Sequence, residues 1–270
     1  MFGIALNRKN QTVQHLLIFF QLLRRDLYIF SQSISGKMIN TAVWSAVLIF
    51  ANHYITPYLG LPPSYGKFML VGAVVVQLLF QAMNEVALRV SDLVSNREIM
   101  YALGLPLPAW MVFLRFAVSV MIQGIVMSLS ALPIAALVLW KDFSFPSACL
   151  PKIALMLGFQ GIFFGFFSLW VTSFTKNMPD YENVWMRVIN PLWMSGCYIF
   201  SWGVAKKALP FLATVLLLNP LTYAMEGMRA AILGQITFLN YWVCLTTLAV
   251  LTVFFALRSY HLLKKRLDLI

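Results

Sequence analysis

Six runs of this chain are apolar for as long as a bilayer is thick, roughly 38–58, 67–89, 109–139, 151–174, 184–204 and 238–259. A helix needs about 20 mostly apolar residues to cross the hydrocarbon core, so each run predicts a transmembrane helix. The third exceeds that length and contains Pro133, which predicts a tilted or bent span. Apolar residues make up 61% of the 270 and charged residues only 11%, against about 25% charged in a soluble domain. The expected fold is therefore all-α and integral to the membrane, as a single transmembrane domain over 1–270. Neither an internal repeat nor a Gly-, Ser- or Pro-rich linker divides it.

Before the first run, Leu16, Phe20, Leu23, Leu27, Phe30 and Ile34 recur at three- and four-residue steps, with Gln14, Gln21, Arg25 and Gln32 opposite. That pattern predicts an amphipathic helix over 14–36 lying in the membrane interface. The competing reading is a first span that contains charges, at about 2.5–3.5 kcal/mol for each central charge. Leu16 to Leu23 is not expected to be a cleaved leader, because Arg24, Arg25 and Asp26 follow it without a small-residue cleavage site.

The net charge of +11 does not predict a nucleic-acid partner, since the basic residues gather at span ends. With the N-terminus inside, thirteen of the 20 Lys and Arg fall in cytoplasmic segments, which predicts both termini in the cytoplasm. Cys149, Cys197 and Cys244, and His15, His53 and His261, are scattered without metal or redox spacing. Gly36-Lys37 is the nearest approach to a phosphate-binding loop, but position 31 is Ser and no Ser or Thr follows the Lys.

Polar residues inside apolar runs carry the remaining information. In the second run Gln77, Gln81, Asn84 and Glu85 share one helical face. Glu85 stands four residues before Arg89, a favourable ion-pair spacing, and Arg115 falls at similar depth in the third run. These residues predict either a structural polar cluster near one membrane surface or a direct contact with a passing molecule. In the fourth run Gly158, Gly161 and Gly165 alternate with phenylalanines, as in a close helix crossing or an aromatic-lined conduit. Between spans five and six, 208–234 is apolar, but Pro210 and Pro220 bracket too few residues to cross, which predicts a re-entrant or gate segment on one side. Within it Asn219 can cap the helix that Pro220 starts, and Glu226 and Arg229 can pair one turn apart.

The loop after the second span offers a docking element. Residues 91–103 predict a short amphipathic cytoplasmic helix, with Asp92 near its start and Leu93, Arg97 and Met100 roughly on one side. It stops at Gly104, Pro106 and Pro108. A solvated turn is the plainer account of the same residues.

Two of these stretches together resemble the ABC type-2 exporter permeases. The first is Pro191 with Ser195-Gly196, then Leu209-Pro210, then Asn219-Pro220-Leu221-Thr222-Tyr223, Glu226 and Arg229. The second is Arg97-Glu98 followed by the turn Leu103 to Pro108, although Ile99-Met100 stands where that family often has Gly-Thr. The resemblance implies an outer gate formed around Pro191, Gly196, Pro210, Asn219, Pro220, Tyr223, Glu226 and Arg229. It also implies a coupling helix that contacts a cytosolic ATPase, two copies of that ATPase, and a second permease, identical or paralogous. ATP and Mg would bind the ATPase and no cofactor would bind this chain. The implied cargo is lipid-linked or amphipathic, such as a polysaccharide, glycolipid or drug, exported across the inner (cytoplasmic) membrane.

Two other classes remain open on sequence. An ATP-independent carrier or channel needs coupling acids deep in the membrane, and only Glu85 is a candidate, near a span end. A membrane assembly factor without transport needs no particular signature. An enzyme needs convergent acids, bases or metal ligands, whereas the nine Asp and Glu are spread singly.

Overall fold

The computed structural model describes residues 8–62, 64–94, 101, 104–140, 144 and 148–267. Their regular structure is entirely helical, as the apolar runs require. Long helices are α1 (Arg8–Phe50), α2 (Tyr65–Val94), α3 (Ala109–Leu139) and α4 (Leu150–Phe174). Shorter pieces follow: α5 (Met178–Val184), α6 (Asn190–Trp193), α7 (Trp202–Ala208), α8 (Pro210–Leu216) and α9 (Pro220–Ile232). The last long helix is α10 (Tyr241–Leu267). Among the described residues five helices are long and apolar enough to cross a membrane, or up to six if the bent pair α8–α9 is one span. The chain is a multi-pass helical membrane protein.

α2 is the central helix. Its most apolar stretch is 83% buried, whereas those of α1 and α10 are 17% and 28% buried and turn apolar side chains outward. α1 and α3 pack together, α3 and α4 cross, and α10 lies along α4 and α9. The glycines of α4 explain one of these crossings. A Cβ on Gly165 would stand 2.5 Å from the Ala117 carbonyl oxygen, and one on Gly161 would meet the Met121 side chain, so α3 approaches α4 at bare backbone. Gly158 faces open space instead. Phe163 and Phe167 are buried and pack edge-on against Phe255 of α10, which places them in the core. At the far end Arg266 donates to the carbonyls of Thr172 and Thr175, satisfying the last turn of α4.

Three sequence expectations change. The amphipathic segment 14–36 and the first span are one uninterrupted helix, because Gly36 and Lys37 continue α1 without a break. Ser35 and Gly36 are residues that can cap or end a helix, yet no proline stands at that junction to force a break, and the helix runs through them. Ser91 to Val94 extend α2 rather than opening a separate helix, while Arg97, Glu98 and Met100 lie outside the described residues. The fifth run is not one regular α-helix. From Met178 to Tyr198 the coil alternates α5, a wide π-turn over Trp185–Ile189, α6 and a second π-turn over Met194–Tyr198. Pro191 lacks the N–H that a regular turn would use, and a π-turn is a local answer to such a gap. α3, by contrast, runs through Pro133 unbroken.

Candidate functional site

The backbone leaves regular helix after Gly196. Gly196 has ψ 33° and Cys197 adopts φ 61°, a left-handed conformation rare for a residue with a side chain. Helical pairing stops there, and the carbonyls of Cys197 and Tyr198 need donors in buried surroundings. Arg229 supplies both: Nη1 donates to Cys197 O, and Nη2 donates to Tyr198 O at 2.7 Å. Its guanidinium carbon stands 3.6 Å from the centroid of the Phe68 ring.

Glu226, one turn earlier on α9, does the complementary work. Its two carboxylate oxygens accept the backbone N–H groups of Trp202 and Leu239, each at 3.1 Å. Glu226 and Arg229 have no exposed surface, and their charged atoms are 3.7 Å apart. The pair therefore joins the break after Gly196, the start of α7 and the segment before α10 into one buried knot. Gly72 of α2 completes the fit, because a Cβ there would press on the Tyr198 ring at 3.1 Å and on Arg229 at 3.2 Å.

Asn219 makes a second tie nearby. Its Oδ1 accepts the Leu221 N–H at 2.9 Å, capping α9, while Nδ2 donates to Leu192 O at 2.6 Å and to Ser195 Oγ at 3.1 Å. Gly196 is needed where the elements meet, since a Cβ on it would lie 2.7 Å from that of Leu221. Pro210 and Pro220 each open a helix, as their missing N–H allows. The axes of α8 and α9 differ by 97°. Thr222 and Tyr223 close the corner by donating their hydroxyls to Leu216 O at 2.8 Å and Leu217 O at 2.9 Å.

Gly196 is thus brought from a separate segment onto the helix that carries Asn219, Glu226 and Arg229. Pro191 shapes the π-turned segment, and Pro210 sets the start of α8. Cys197, Tyr198, Phe68 and the N–H groups of Trp202 and Leu239 belong to the same knot and escaped the sequence reading. They act through backbone atoms or a ring face, which no residue type announces; only Gly196 hinted at a break.

The second polar region lies where α2 ends and α3 begins. Gln81 donates to Gln123 of α3 at 2.7 Å, and Gln123 donates to Ser119 at 3.0 Å. Glu85 is 3.4 Å from Gln81 and 3.7 Å from Arg89. Arg89 reaches α4 at Ser168 Oγ, 3.1 Å away. Arg115, fully buried, pairs at 3.1 Å with Asp26 of α1 and lies over the Phe116 ring. Gln77 is buried farther along α2, and Asn84 is exposed and outside this network. Asp26, Ser119 and Gln123 are additions that sequence periodicity missed, because it resolves neighbours on one helix and not across helices.

Beside this network is a half-open cavity of about 190 Å³ between α1, α2 and α3. Asp26, Lys37, Glu85, Arg89 and Asp92 supply its charged lining, with Phe30 and Phe116 among its apolar walls. Asp92, expected in the coupling helix, therefore lines this cavity from the end of α2. Leu93 belongs to the same last turn of α2. Among the described residues no three His, Cys, Asp or Glu side chains converge as metal ligands.

Compared with known proteins, the chain matches no family model, no curated protein and no solved structure.

Proposed function

We propose that this chain is the membrane-spanning subunit of an ATP-driven ABC exporter, moving an amphipathic or lipid-linked molecule such as a polysaccharide, glycolipid or drug. The observation that carries the reading is the convergence of Gly196, Asn219, Glu226 and Arg229, the same residues on which the sequence resembles type-2 exporter permeases. Internally satisfied but irregular backbone amid apolar helices suits a segment that lines or closes a path, where open hydrocarbon would penalise it. On this reading α8 and α9 form an outer, re-entrant gate. Residues 91–103 contact the ATPase, and both termini face the cytoplasm. Two ATPase subunits and a second permease complete the assembly in the inner membrane. The chain itself performs no covalent chemistry and contributes different cargo affinities in inward- and outward-facing states.

The test is purification of the intact chain in mild detergent, with mass spectrometry of co-purifying proteins and an ATPase assay. Arg97→Glu and Glu98→Arg are the variants. Recovery of a P-loop ATPase with the unaltered chain, and its loss from both variants, is the expected result. Recovery of the chain without an ATPase in every lipid condition tried would overturn the exporter reading in favour of a carrier or an assembly factor.

A further inference from the structure

The cavity between α1, α2 and α3 contains two opposite charges that face each other without meeting. The Lys37 ammonium lies 4.9 Å from the centroid of the Phe30 ring and feels the field of Glu85, yet it reaches ion-pair distance with no described residue. Glu85 is also loosely held. Its contacts to Gln81 and Arg89 are 3.4 and 3.7 Å, longer than a good charge-assisted hydrogen bond, so its carboxylate keeps acceptor capacity. Arg89 is committed to Ser168 on α4.

What occupies this space must match both charges and an apolar mouth. Ile29 and Leu88 border the cavity and are each more than half exposed, on two helices of membrane-crossing length. A bare anion meets carboxylates from Asp26, Glu85 and Asp92 as well as the two cations, so it is poorly matched. A quaternary ammonium brings charge but no N–H for the acceptor capacity of Glu85. A molecule with a phosphate, a primary ammonium and an acyl tail satisfies every wall.

We propose that this cavity binds the headgroup of a zwitterionic phospholipid with a primary amine, phosphate against Lys37 and ammonium against Glu85, its tails leaving past Ile29 and Leu88. The site is built within one chain and needs neither an ATPase nor transport. Its lipid can be structural, so it stands or falls apart from the exporter reading.

The experiment is native mass spectrometry of the full chain, titrated in separate arms with phosphatidylethanolamine, phosphatidylcholine, phosphatidylglycerol and water-soluble glycerophosphoethanolamine. Phosphatidylethanolamine is expected to bind about tenfold more tightly than the other two lipids; Glu85→Gln is expected to remove that preference, and Lys37→Gln, which loses the phosphate contact common to all three, to weaken each of them about tenfold. Equal binding of the three lipids, or undiminished phosphatidylethanolamine affinity in Lys37→Gln, would overturn the proposal. Glycerophosphoethanolamine binding as tightly as the lipid would make the ligand a soluble zwitterion and overturn the lipid assignment. Glu85→Gln loosens the contacts to Gln81 and Arg89; if that variant unfolds, the affinity lost in the partly exposed Lys37→Gln and the headgroup preference of the unaltered chain decide the question together.

Discussion

Arg229 and Glu226 have no exposed surface, and the 3.7 Å between their charged atoms is longer than any hydrogen bond that either makes to the backbone. Their first task is to satisfy carbonyls and N–H groups at a broken helix, with attraction to each other secondary. Arg229→Ala strands two carbonyls and a buried carboxylate together, so a loss of about 3–5 kcal/mol is expected. Arg229→Lys should recover only part of it, because one ammonium cannot reproduce a planar fork on two carbonyls. Thermal melting of the purified protein in detergent checks both; equal stability of Arg229→Ala and the unaltered chain would refute the account.

Asn219 both accepts and donates. Asn219→Asp keeps the acceptor for the Leu221 N–H but has no donor for Leu192 O, while Asn219→Ala loses both. We expect Asn219→Ala to cost about 1–2 kcal/mol, with Asn219→Asp also below the unaltered chain. Chemical denaturation of the two variants side by side measures the difference.

The glycines of α4 give a contrast on a single helix. Gly165→Ala drives a methyl into the Ala117 backbone, which cannot swing aside, and should destabilise by about 1–3 kcal/mol. Gly158→Ala meets open space and gains helix propensity, so it should be neutral or stabilising by up to about 1 kcal/mol. Equal melting temperatures for the two variants would contradict the close α3–α4 crossing.

Asp26 and Arg115 tie the amphipathic part of α1 to α3. A double-mutant cycle with Asp26→Asn and Arg115→Met should return a coupling of about 1–3 kcal/mol. Hydrogen exchange in residues 13–36 should quicken in either single variant. Unchanged exchange there would mean that this part of α1 is held by its apolar contacts alone.

The long helices were legible because hydropathy over 20 residues reports the surrounding solvent. The expected runs 67–89, 109–139 and 151–174 fall within α2, α3 and α4 to within a residue at all but the ends of α2. Pro220 and its cap Asn219 correctly announced the start of α9. The join at Gly36 was not legible, since an interface helix and a span share one backbone geometry and differ only in what surrounds them. Nor was the purpose of Arg229, because its partners are carbonyls that any residue type provides. The cavity charges were half visible: Glu85 and Arg89 share a helix, but Lys37 is placed in the same cavity only by tertiary packing.

The continuity of α1 has a mechanical consequence. At 1.5 Å per residue its 43 residues measure about 65 Å, roughly twice the hydrocarbon thickness. Asp26 divides that rod unevenly, with Arg8 about 27 Å to one side and Phe50 about 36 Å to the other. A rigid tilt of about ten degrees around the Asp26–Arg115 tie would carry the ends about 5 and 6 Å in opposite directions. Such a rod is a see-saw, and its fulcrum is a buried ion pair next to a cavity whose charged lining comes from the rod itself and from α2.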